Sequence, residues 1–229
     1  MTLTIGVLSW GAHYTLRNTL ESYRFWGLDK LADQKIIWFQ EISEEDIMIA
    51  QMYGWDYDGS STNIGIAGGY KELVARATGS LFLFLENDWR LIQNPEIQII
   101  TGAVLLEAGA TDVVRYRSRK YPGNPLWTLQ FKGNELSRPE HLLDCLHWEE
   151  HPEKFPQIHK LPYGWYRTDA RYANWTNNPT MFRTDLLKSI VLTSLWNGDG
   201  EKSIQGFWQE QSQIKVMQGD GLFEHYRIG

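Results

Sequence analysis

The sequence predicts one α/β domain with a mostly parallel central sheet and helices on both faces, and three observations carry that prediction. Residues 81–85 read Leu-Phe-Leu-Phe-Leu, five large apolar residues without alternation, the pattern of a strand covered on both faces. From the amino terminus to Leu85, short apolar runs alternate with helix-period segments in the order β-α-β-α-β-α-β, which builds parallel sheets through right-handed crossovers. Finally, 229 residues with 42% hydrophobic and 22% charged side chains can bury one sizeable core without a second domain.

Taken in order, residues 4–9 (Thr-Ile-Gly-Val-Leu-Ser) form the first strand, and Trp10-Gly11-Ala12-His13 a loop. A helix over 15–25 follows, with Leu16, Leu20 and Tyr23 at helical spacing and Thr15 as its N-cap. Residues 35–40 (Lys-Ile-Ile-Trp-Phe-Gln) are the second strand, ending at Glu41. Ser43 then caps a helix over 43–52, whose first-turn acids Glu44, Glu45 and Asp46 suit the helix dipole. A short strand at 57–59 leads through a loop over 60–69, rich in glycine and small polar residues, into a helix over 70–77 that Gly79 closes. A glycine-rich helix entry offers N–H groups to an anion, although this spacing is neither a P-loop nor a G-x-G-x-x-G fingerprint.

Residues 95–109 read as a helix packed on the sheet and 111–118 as the next strand. Regularity then fails over 119–175, which holds six of the eight prolines, so long loops are expected there with one helix over 139–146. Further helices begin near Arg183 and cover 203–211, and a strand covers 214–217.

Ligands of open α/β sheets gather at the carboxyl ends of the strands, where this chain places Glu86-Asn87-Asp88. On extended backbone the two carboxylates project to one side and can share a divalent cation, although Asp and Asn also end strands as turn formers. Eleven Trp and eleven Tyr suit a core and also offer flat faces to sugar or base rings. The net charge of −6 argues against nucleic-acid binding through a basic surface. No apolar stretch approaches the ~20 residues of a membrane-spanning helix, and no signal-peptide pattern precedes the first strand, so a cytoplasmic protein is expected. Cys145, the single cysteine, rules out an intramolecular disulfide and reads as a structural thiol.

The ordered set of Trp10-Gly11, Glu41, Asn63-Ile64-Gly65-Ile66-Ala67-Gly68, Glu86-Asn87-Asp88, Asn177-Asn178-Pro179, Asp199 with Glu201 before a helix, and Phe223-Glu224-His225 resembles one family. It is similar to the nucleotide-sugar-dependent glycosyltransferases of the GT-A fold, close to the inverting family 2, over all but residues 119–170. The resemblance implies a single Rossmann-like GT-A domain over 1–229, with 1–118 as the nucleotide-sugar-binding half and 119–229 as the acceptor-binding half. It implies metal-dependent transfer of a sugar, with inversion, from a nucleotide diphosphate donor (UDP-linked by family frequency) to a hydroxyl of a glycan or glycoconjugate.

By the same resemblance, Ser9, Trp10, Glu41, Asn63, Gly65, Glu86, Asn87 and Asp88 bind the donor. The family's D-x-D motif corresponds to Glu86-Asn87-Asp88, with Glu in place of the first Asp, and Mn²⁺ or Mg²⁺ is held by Asp88, Glu86 and His225. Glu201 is the base that deprotonates the acceptor, with Asp199 next; a capping role accounts for both acids as well. Trp175, Asn177 and Asn178 match the segment facing the acceptor, though Asn-Pro also serves as a turn, and Arg227 is a candidate phosphate contact. Arg115, Arg117, Arg119 and Lys120 read either as a charged-acceptor contact or as a solvated strand end.

Two other classes compete. A sugar-1-phosphate nucleotidyltransferase shares the α/β arrangement but needs a Gly-rich basic signature after the first strand, which Trp10-Gly11-Ala12-His13 lacks. A non-catalytic carbohydrate-binding protein fits the aromatic content, but such modules are usually β-sandwiches, against which the β/α alternation counts.

Overall fold

Alternate residues of each central strand feed two separate cores, which explains the unbroken apolar runs. In the computed structural model, which describes residues 1–121, 152–193 and 201–226, Phe82 and Phe84 enter one core while Leu81, Leu83 and Leu85 enter the other. The helix expected over 139–146, Cys145, Asp199 and Arg227 lie outside the described residues.

Strands β1 (Leu3–Trp10), β2 (Gln34–Gln40), β3 (Asp56–Gly59) and β4 (Leu81–Glu86) form a parallel block ordered β3-β2-β1-β4. Beyond β4 come β9 (Thr180–Arg183), β6 (Val113–Arg117) and β10 (Lys215–His225). In this central run β9 alone opposes its neighbours, so the sheet is mostly parallel. The short strands β8 (Tyr166–Asp169) and β7 (His159–Lys160) complete that edge, and β5 (Trp89–Leu91) pairs antiparallel with the end of β10.

One face is covered by α1 (His13–Trp26), α2 (Glu44–Tyr53) and α4 (Glu96–Glu107), through residues such as Leu16, Leu20, Ile49, Ile99 and Leu106. The other is covered by α3 (Gly65–Arg76), α5 (Thr184–Val191) and α6 (Lys202–Glu210), through Tyr70, Leu73, Leu187, Ile190 and Trp208. Among the described residues no helix is long and apolar enough to cross a membrane.

Three local expectations change. Thr15 is not the cap of α1: Gly11, at φ +55°, turns the chain so sharply that the helix starts at His13, with Ala12 at the cap position. The glycine segment before residue 70 is not a loop but the first turns of α3, which ends at Arg76, well before Gly79. Its glycines answer to packing: a Cβ on Gly69 would lie 2.5 Å from Leu8 Cδ1 and 2.8 Å from Gln40 Nε2, so at this approach of α3 to β1 and β2 a larger residue must displace those side chains. The strand expected over 214–217 and the terminal Phe223-Glu224-His225 are one element, β10, with a bulge between Gln218 and Phe223 that Gly221 passes at φ +85°. The Ser43 cap of α2 is as expected, a full capping box with Asp46.

Candidate active site

The Asn87–Asp88 turn at the end of β4 is anchored through its main chain from three sides. Leu8 O accepts from the Asn87 N–H (3.0 Å), Asn87 O accepts from Thr19 Oγ1 (2.7 Å), and Asp88 O accepts from the Tyr226 N–H (2.7 Å). Tyr23 adds a phenol hydrogen bond to Trp89 O (2.7 Å) just beyond. With its backbone thus held by β1, α1 and the end of β10, the turn presents Asp88 to a cleft of about 720 Å³. The backbone is not extended here, yet Glu86 and Asp88 still come together, because the turn folds the second carboxylate back beside the first.

That cleft is lined by Ser9, Trp10, Asn63, Glu86, Asn87, Asp88 and His225 among the expected residues. Glu41, at φ +54°, stands beside it and accepts a hydrogen bond from the Trp10 indole N–H (2.7 Å). Asn63 Oδ1 accepts from the Gly65 N–H (2.8 Å) in a tight turn that leads into α3, so Gly65 acts through backbone geometry rather than as a wall of the cleft.

Glu201 is drawn in from a distant part of the chain. It occupies the N-cap position of α6 without a side-chain capping bond; its carboxylate instead accepts the Asn177 N–H. Burial, then the charges of Asp88 and Glu201, push the Glu86 carboxyl well above the usual carboxylate range, while the facing Trp89 and Asn177 side chains pull the other way. Glu86 and Asp88 therefore line the cleft side by side, and Glu201, close enough for its charge to act on Glu86, is not itself part of the lining. Asp199, outside the described residues, is not placed relative to them.

Two buried polar atoms at this corner, Asp88 Oδ1 and Asn177 Oδ1, have no hydrogen-bond partner among the described residues, and neither does Ser9 Oγ further along. Orphaned buried acceptors call for a partner, which a bound ion or polar ligand in the cleft would supply. The other Asp88 oxygen, Oδ2, lies 3.0 Å from His225 Nε2. Among the described residues no group of three or more His, Cys, Asp or Glu could hold a metal ion by itself. The Asp88 carboxylate, with one oxygen unengaged, fits a divalent cation that takes its remaining ligands from substrate phosphates, and His225 beside it would add a nitrogen ligand.

Trp175 is corrected. It is only 1% exposed, walled in by Tyr70, Phe182 and Trp208, and belongs to the core beneath the site rather than to an acceptor platform. Asn177 is buried and Asn178 half-buried, the latter fixed through its backbone to Thr176 and Thr180. The basic cluster is divided: Arg115, which donates to Asn174 O, and Arg117, over the Trp89 ring at 5.4 Å, are buried, whereas Arg119 is half-buried and paired with Asp220 and Lys120 is exposed.

Gln40 is a site residue that the sequence reading passed over. Its buried amide accepts from the Ile64 N–H (3.0 Å) and donates to Gly65 O (2.7 Å), pinning the Asn63 turn to the end of β2. A polar residue closing an apolar strand directly before Glu41 was the available signal.

No protein-family model matches the chain, and no curated protein matches it in sequence. Solved structures do resemble it. Glucosyl-3-phosphoglycerate synthase from Mycobacterium tuberculosis, in complex with Mn²⁺ and uridine-diphosphate-glucose, is 14% identical with a TM-score of 0.60, over 100% of this chain and 72% of that one. A mycobacterial protein is 15% identical with a TM-score of 0.62, over 100% and 68%. TarS from S. aureus is 13% identical with a TM-score of 0.59, over 99% of this chain and 37% of its own length.

Proposed function

We propose that this chain, whose fold is that of the GT-A glycosyltransferases, transfers a sugar from a nucleotide diphosphate donor to a hydroxyl acceptor. The observation that carries this reading is a cleft lined by Glu86, Asp88 and His225 together with Trp10, whose indole is held by the neighbouring Glu41. A β-sandwich carbohydrate module is incompatible with the α/β fold.

In this reading the exposed Trp10 ring and the Glu41 carboxylate flank the nucleoside, and the Gln40-pinned Asn63 turn borders the sugar phosphate. Asp88 and His225 would hold Mn²⁺ or Mg²⁺, which when bound neutralises the departing diphosphate. Glu86, beside Asp88 in the same cleft, is the supporting carboxylate of this corner. Glu201 takes the proton from the acceptor hydroxyl as that oxygen attacks the anomeric carbon opposite the leaving diphosphate, so the anomeric configuration inverts. A UDP-linked donor is supported by the uridine-diphosphate-glucose bound in the M. tuberculosis structure, and a glycan or glycoconjugate acceptor by the resemblance read from the sequence.

Incubating the protein with Mn²⁺ and a panel of UDP- and GDP-sugars, and following donor cleavage, tests the proposal. Cleavage of at least one donor, reduced about a hundredfold or more in Asp88→Ala, is the expected outcome. Cleavage of none contradicts the reading, and full activity without divalent metal contradicts the assignment of Asp88.

A further inference from the structure

A second and larger cleft, of about 1010 Å³, lies between the carboxyl-terminal end of α1, β5, the start of α4 and the middle of β10. It is separate from the donor cleft yet shares a wall with it. On β10, Glu224 lines the larger cleft and the next residue, His225, lines the donor cleft. On β5, Arg90 pairs opposite Glu224 and Trp89 opposite His225, so the two clefts sit on opposite faces of one short ladder.

We propose that this second cleft is a binding site for neutral oligosaccharides, distinct from the site of sugar transfer. Its aromatic lining comes from Phe25, 75% exposed, Tyr121, 54% exposed, and Trp26, 36% exposed. Phe25 and Trp26 meet edge to face at 5.0 Å, which holds both rings in a fixed orientation. Large exposed aromatics grouped around one cavity are uncommon on a soluble surface and mark a binding face. Such faces accept the apolar C–H side of a pyranose.

The charges of the lining decide the class of ligand. Arg90, Arg119 and Lys120 are balanced by Glu21, Asp220 and Glu224. The Arg90 Nε–H donates to Glu224 Oε1 (2.6 Å) while its guanidinium stacks on Tyr226 at 4.3 Å, and Arg119 pairs with Asp220. A lining with equal numbers of cations and anions, four of the six held in the Arg90–Glu224 and Arg119–Asp220 pairs, offers little net field to a polyanion or an anionic lipid surface. It does offer donors and acceptors side by side, fixed by stacking and ion pairing, which is the complement of a neutral ligand covered in hydroxyls. The volume lies at the upper end of the range for small-ligand pockets, with room for more than one sugar ring.

The test is retention of the purified protein on an array of neutral and anionic oligosaccharides, followed by saturation-transfer NMR titration with the best-retained neutral glycan. Wild type and Asp88→Ala are expected to bind alike, and Phe25→Ala/Tyr121→Ala to bind about tenfold more weakly. Both substituted side chains are exposed, so the double variant should melt as wild type does; Phe25→Ala alone serves if it does not. Retention of no neutral oligosaccharide, retention of anionic ones only, equal binding by the aromatic variants, or loss of binding in Asp88→Ala would each overturn the proposal.

Discussion

Glu86 and Asp88 are two residues apart and behave differently. Glu86 is half-buried beside two other carboxylates, so ionising it is costly, whereas Asp88 keeps one oxygen near His225 and one without a partner among the described residues. The raised Glu86 pKa has a signed consequence. A carboxyl whose folded pKa lies above its unfolded value contributes stability that is fully present below the unfolded value and is lost as pH rises through the folded one. Metal-free protein should therefore lose melting temperature as pH rises above the ordinary glutamate range, and Glu86→Gln should flatten that slope. A slope unchanged in Glu86→Gln would assign it to other groups. Glu201 is tested by Glu201→Gln, which should lower kcat by roughly 10²–10⁴-fold while leaving UDP affinity near wild type. An equal loss in UDP affinity would make Glu201 a binding residue instead of a base.

At the scale of elements, the site depends on how closely α3 sits on β1 and β2. Gly69→Ala puts a methyl against Leu8 and the Gln40 amide, which holds Ile64 and Gly65 in place. Overpacking of this kind costs about 1–3 kcal/mol, a fall in melting temperature of roughly 2–12 °C for a chain of this size. Because the displaced residues carry the Asn63 turn, the donor KM should rise as well; a stable Gly69→Ala variant with unchanged KM would show that the clamp does not matter. The same contact explains why the start of α3 is hard to see in the sequence. Glycine and small polar residues look like a loop locally, and only the neighbouring strands show that their purpose is close approach.

For the whole molecule, the parallel block and its helices were legible because each is specified by its own local pattern: apolar runs for β1, β2 and β4, and the Ser43 capping box for α2. The short strands β5, β7, β8 and β9 were not, since their pairing partners lie far away in the chain. Trp175 was misjudged for a related reason: an indole among asparagines reads as a sugar platform until α6 brings Trp208 against it. The carboxylate corner was legible by residue, but the contact of Glu201 with Asn177 beside Glu86 is a product of the tertiary fold. Thermal unfolding with UDP and Mn²⁺, alone and together, in wild type and Asp88→Ala, tests the central claim most directly. At about a hundredfold excess over Kd the pair should stabilise wild type by about 2.7 kcal/mol, several degrees in melting temperature, and neither the Mn²⁺ dependence nor the full shift should survive in Asp88→Ala. No shift in wild type with UDP and Mn²⁺, or with any other nucleotide diphosphate in its place, would contradict the account.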